Sequence, residues 1–179
     1  MALAIGCGAT ASRPPKVAAV TTTLIDRAHT AERAREYLRA RELYERAITT
    51  APDRESRRVA TQQLAAALIF WGQYRDAATT LERLTELSPR DPRPWHNLGL
   101  VRYRLGDVAG AEHALGRAIS LAPADPRPRV ALAALYANQH RNPAAIREYR
   151  ALLALPHLPD RLRDAAQRAI LLLAEPPPP

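Results

Sequence analysis

At 179 residues, with 47% hydrophobic and 25% charged side chains, the chain can bury a core of ordinary size and is not a disordered tail. Its single cysteine, Cys7, excludes an internal disulfide, and no run approaches the ~20 apolar residues of a spanning helix. The net charge of +8 rests almost wholly on arginine, Lys16 being the only lysine. Such an excess reads as affinity for nucleic acid or an acidic membrane, or as the codon usage of a GC-rich genome. Local pattern favours the second reading: Glu32, Glu36, Glu42, Glu45, Asp53 and Glu55 interleave with the arginines, as on solvated helix faces with i,i+4 pairs. Ala and Leu carry most of the apolar content and aromatics only 5%, which predicts an all-α chain.

In chain order, residues 1–20 read as a flexible leader. Within it Leu3-Ala4-Ile5-Gly6-Cys7 sets a short apolar run and a small residue directly before the cysteine, with a polar stretch from Gly8 to Lys16 behind it. This resembles the end of a bacterial lipoprotein signal, which is cleaved before the Cys. The resemblance implies a lipid on Cys7 and a chain held at an envelope membrane, facing the periplasm, with no spanning helix. The charged start and most of the ~7–15-residue apolar core are missing. A plain leader on a cytoplasmic chain is therefore the other reading.

The next segments repeat. Pro89-Arg90-Asp91-Pro92-Arg93-Pro94 returns 34 residues later as Pro123-Ala124-Asp125-Pro126-Arg127-Pro128. The same offset joins Leu64, Leu98 and Leu132, then Ala77, Ala111 and Ala145, and Gly72 with Gly106. Further upstream, Tyr37, Ala40, Tyr44, Ala47 and Pro52 precede Tyr74, Ala77, Leu81, Leu84 and Pro89 by 37 residues, as if about three extra residues sat in a connector near Glu55–Arg57. Four units follow at 21–54, 58–91, 92–125 and 126–159. Each reads as two helices: Trp95, Leu98, Val101 and Leu105 keep helical spacing, Gly106-Asp107 breaks it, and Val108, Ala111, Ala114, Leu115, Ala118 and Leu121 resume it. Asp91-Pro92 and Asp125-Pro126 are helix starts, with a capping carboxylate and proline at the first helical position. Gly99, Ala111 and Ala118 are small enough for close helix crossings. Residues 160–175 form one more amphipathic helix, expected to cap the stack, and 176–179 are a proline tail.

The 34-residue period with Trp95, Leu98, Gly99, Tyr103, Gly106, Ala111, Leu115, Ala118 and Pro123 resembles the tetratricopeptide repeat. Unit three carries it best. Unit two has Thr61 for the Trp and Ala65 for the Gly, and unit four has Arg129, Ala133 and His140 at the Trp and two Gly columns. The pentatricopeptide family shares a comparable period, but its base-reading columns are absent and the Trp/Leu-Gly pattern is not its own. The resemblance implies a right-handed superhelical solenoid whose first helices line a concave groove for a protein or peptide. It places in that groove Gln62, Gln63, Ala66, Ile69 and Phe70; then His96, Asn97, Leu100 and Arg104; then Val130, Ala131, Ala134 and Asn138. Several of these, Ala66, Ala131 and Ala134 above all, equally suit packing between neighbouring units. Ala66, Leu100 and Ala134 stand where family members that clasp an acidic carboxy terminus often have Asn, which argues against that specialised use.

Motifs for catalysis are missing. There is no H-E-x-x-H, no G-x-x-x-x-G-K and no G-x-S-x-G, and His29, His96, His113, His140 and His157 share no repeat column. The expectation is a non-enzymatic scaffold without cofactor or metal. A nucleic-acid-binding repeat using the arginine surface is the alternative, weakened by the shortage of aromatic stacking platforms. The sequence says nothing of oligomeric state.

Overall fold

The computed structural model describes residues 16–174. The lipidation motif with Cys7 and the proline tail lie outside the described residues. Within them every regular element is α-helical: α1 Lys16–Arg33, α2 Tyr37–Thr49, α3 Arg54–Phe70, α4 Tyr74–Leu87, α5 Pro92–Arg104, α6 Val108–Leu121, α7 Pro126–Asn138, α8 Asn142–Leu153 and α9 Asp160–Ala174. No described helix is long and apolar enough to cross a membrane.

Two departures from the sequence expectation stand at the front of the chain. Helix α1 begins at Lys16, inside the stretch read as a leader, because Val17-Ala18-Ala19-Val20 carries apolar residues straight into the helix with no breaker after Pro15. Glu55–Arg57 is the first turn of α3 and not a connector. Asp53 caps that turn, its carboxylate accepting from the Ser56 amide at 2.7 Å, and Glu55 pairs with Arg58 at 2.6 Å. The extra residues lengthened a helix because they can cap and pair within it.

The chain forms two compact units that divide between Ala60 and Thr61, within α3. In the first unit α1 packs on α2 and buries Leu24, Ile25, Ala28, Ala40, Leu43, Tyr44 and Ala47. The Tyr44 hydroxyl donates to Glu32 at 2.7 Å, and its ring meets His29 edge-on at 5.8 Å. Burial and then the Glu32 carboxylate push the Tyr44 phenol far above its ordinary range.

In the second unit helices neighbouring in sequence pack on one another from α4 to α9, and α5 also touches α7. The repeated columns are the core. Leu98, Leu115 and Leu81 are 1% exposed, and Ala77, Ala111, Ala118 and Ala145 are sealed completely. A Cβ on Gly99 would sit 2.6 Å from Leu115 Cγ, so the backbone of α5 approaches α6 as closely as a hydrogen allows. Polar ties run between helices: Arg102 to Glu82 at 2.8 Å, Arg129 to Glu148 at 3.1 Å, Arg141 to Glu112, and Asn142 to the Leu173 carbonyl at 3.3 Å.

The hairpin turns share one closure. Arg35, Gly72, Gly106 and His140 all adopt positive φ, at 61°, 74°, 81° and 55°. Each donates its amide three residues back, and the next residue donates five back: Arg35 to Glu32 and Glu36 to Ala31, Gly106 to Tyr103 and Asp107 to Arg102, His140 to Ala137 and Arg141 to Tyr136. This paired bonding satisfies the last carbonyls of the first helix while the chain reverses.

Candidate functional site

Two hollows open on the second unit, and the first helices of its hairpins supply most of their functional side chains. One, of about 180 Å³, is lined by Ile69, Tyr74, Asn97, Leu100, Val101 and Arg104. Its floor is aliphatic and aromatic. Leu100 is 41% exposed although it is a large apolar residue in mid-helix. Arg104 at the rim forms no ion pair with the described residues, whereas Arg102, two residues before it, is held by Glu82.

The other hollow, of about 160 Å³, is polar and surrounds the start of α5. Gln62, Leu84, His96 and Asn97 line it together with Asp91, Arg93, Asp125 and Arg127. The duplicated Asp-Pro-Arg-Pro segment builds it. Asp91 accepts from the Arg93 amide at 3.0 Å and takes the Arg93 guanidinium at 2.7–3.1 Å. Asp125 repeats the arrangement with Arg127 at the same distances. Each carboxylate thus caps a helix and neutralises an arginine at once. The Arg127 side chain holds the Asp125 carboxyl below its usual range against a small opposing effect of burial, and Asp125 raises Arg127 in return. His96 stands over this pair. Burial first, and the Arg127 charge second, push its imidazole below the ordinary value, with Asp125 opposing. His96 Nδ1 is buried and meets no hydrogen-bond partner within the protein.

The residues expected in the groove divide accordingly. Gln62, His96 and Asn97 meet at the polar hollow; Ile69, Asn97, Leu100 and Arg104 meet at the apolar one; Asn97 belongs to both. Gln63, Ala66 and Phe70 line neither, though Phe70 is 81% exposed. Unit four is turned to packing. Val130 lies against Leu152, Leu158 and Ala166, Ala131 against Ala111, Leu115, Leu132 and Leu135, and Asn138 donates to the Tyr103 hydroxyl at 2.9 Å. Ala134 is half-buried and lines neither hollow. Tyr74, Asp91, Arg93, Asp125 and Arg127 were not foreseen as lining residues. The Asp-Pro-Arg-Pro duplication was the signal that could have found four of them, since two capped helix starts 34 residues apart must stand side by side when first helices stack.

Residues 72–135 match the family model described as tetratricopeptide repeat. The chain is a tetratricopeptide-repeat protein. A heat-shock protein cognate co-chaperone, sgt12, from Aspergillus fumigatus is 31% identical over 113 residues, covering 62% of this chain. The match spans about a third of that relative, 32% of its length. Among solved tetratricopeptide structures, the crystal structure of MamA protein aligns with a TM-score of 0.70 at 19% identity, over 86% of this chain and 80% of that one. The type III secretion chaperone SycD of Yersinia enterocolitica, solved in complex with a peptide of the translocator YopD, aligns with a TM-score of 0.59 at 19% identity, over 63% and 88%. At these identities the likeness establishes the all-α repeat fold.

Proposed function

We propose that the chain is a non-enzymatic scaffold that holds a peptide segment of a partner protein against the first helices α3, α5 and α7 of its second unit, within a stack of units at 21–54, 58–91, 92–125 and 126–159 capped by 160–175. The apolar hollow around Leu100 carries the reading. An aliphatic floor left open beside an unpaired arginine suits a segment that offers one apolar anchor next to a carboxylate. The SycD neighbour, crystallised with a translocator peptide, supports a peptide as the kind of guest this fold receives. A finer version holds the scaffold at a bacterial envelope membrane through a lipid on Cys7, supported by the Leu3–Cys7 motif alone.

A randomised peptide library selected on the immobilised full chain tests the proposal. The expected result is enrichment of peptides that pair an apolar with an acidic residue, and loss of their binding by tenfold or more in Leu100→Asp. Leu100 is partly exposed, so this variant should melt close to the parent. Failure to enrich any sequence, or equal binding by Leu100→Asp, would overturn the groove.

A further inference from the structure

Beside the apolar hollow, the cavity at His96 poses a separate chemical question. A ring nitrogen buried without a partner is costly, and such groups in folded proteins are met by something. Within the described residues nothing meets His96 Nδ1. The neighbouring charges do not answer it, because Asp91 is taken by Arg93 and Asp125 by Arg127, each through paired bonds of 2.7–3.1 Å. The wall therefore carries charge in cancelling pairs and offers a charged guest no free counter-ion. Position supplies the rest. Asn97 lines both hollows, so a segment anchored over Leu100 that continues past Asn97 enters the cavity of His96.

We propose that this cavity is a second subsite of the groove, which takes one uncharged hydroxyl or amide side chain of the bound segment in a hydrogen bond to His96 Nδ1. The inference rests on the peptide-groove reading and narrows it to a two-part motif: an apolar anchor beside a carboxylate, and a serine, threonine, asparagine or glutamine at one fixed distance from it. Hydroxyls and primary amides both donate and accept, so they satisfy either tautomer of the neutral ring. A carboxylate would add an unmatched negative charge beside Asp91 and Asp125, and an ammonium an unmatched positive one beside Arg93 and Arg127. An aliphatic side chain would leave the nitrogen bare.

The selected peptides of the preceding experiment supply the probe. The strongest is synthesised with its polar residue intact and replaced by alanine, and both are titrated by fluorescence anisotropy against the full chain, His96→Leu and His96→Gln. The enriched set should show a column of Ser, Thr, Asn or Gln at constant spacing. Alanine there should weaken binding about tenfold to the parent and to His96→Gln, and have no effect on binding to His96→Leu. The His96 ring nitrogen resonance of the unaltered chain should also shift with the intact peptide and not with its alanine form, a readout that needs no substitution in the fold. Peptides that depend on Leu100 but show no such column, or an alanine effect that persists in His96→Leu with no resonance shift, would mean that water alone fills the cavity and would overturn the subsite while leaving the groove standing. Indifference to Leu100→Asp fells the groove itself, and the subsite with it.

Discussion

His96 is where burial and chemistry conflict most sharply. Its imidazole is held below the ordinary 6.5 by burial first and by Arg127 second, with Asp125 opposing and the neutralised Asp91–Arg93 pair also lining the cavity. The unfolded chain therefore takes up that proton more readily than the folded one. The stability linked to neutral His96 is fully present above the ordinary imidazole pKa and is lost as pH falls from there toward the lowered folded value. Thermal melts at pH 8 and pH 5 should show a larger fall in Tm for the parent than for His96→Gln. The comparison cancels the carboxylates, Asp125 included, that titrate lower still. Equal falls would show that His96 is as free to protonate in the fold as out of it. A second residue fixes a distance. Gly99→Ala should cost about 1–3 kcal/mol, because its new Cβ meets Leu115 at 2.6 Å and 2.9 Å and the Ala111 carbonyl at 3.3 Å, leaving the buried leucine as the group that must yield. Chemical denaturation measures it directly, and an unchanged midpoint would place Gly99 away from the crossing.

At the level of the helix and its turn, much was legible before any coordinates. Leu64, Leu98 and Leu132, 34 residues apart, are all buried, as are Ala77, Ala111 and Ala145, because a solenoid puts the same column against the same neighbour in each unit. What was illegible has local causes. Glu55–Arg57 was open to either a loop or a helix, and an Asp53 cap with a Glu55–Arg58 pair decided it. The groove columns of unit four could not be separated from packing columns by spacing, since Val130 and Ala131 share a face with residues that do both jobs; only the neighbouring α8 and α9 side chains consign Val130 to the core. The hollows were hidden for a related reason: Tyr74 begins a second helix, and no column from first helices alone includes it. The turn offers its own test. His140 holds φ 55°, where a side chain is strained and Gly72 and Gly106 are not. His140→Gly should raise stability by about 0.5–1 kcal/mol after the entropy of glycine is counted. A lower melting temperature would mean that the imidazole makes a compensating contact.

Across the whole chain the question is what the net charge of +8 does. Much of the arginine is already engaged: Arg39 with Glu36, Arg41 with Glu45, Arg58 with Glu55, Arg93 with Asp91, Arg102 with Glu82, Arg127 with Asp125, Arg129 with Glu148 and Arg141 with Glu112. Exposed pairs of this kind add little stability, but they leave fewer free guanidiniums to track a phosphate backbone. Titration with generic DNA and RNA should accordingly give only weak binding that vanishes by physiological salt. Tight association lost steeply with rising salt would reinstate the nucleic-acid alternative.

The left-handed residue at each reversal has one more implication. Its bonds run from backbone to backbone, so glycine is the comfortable tenant and not an obligatory one: arginine holds the post at 35 and histidine at 140. Anyone counting hairpins in this chain by their glycines would find two, while the backbone turns the same way four times among the described residues. Kinship in proteins of this build is better traced by where the main chain doubles back than by the letter written there.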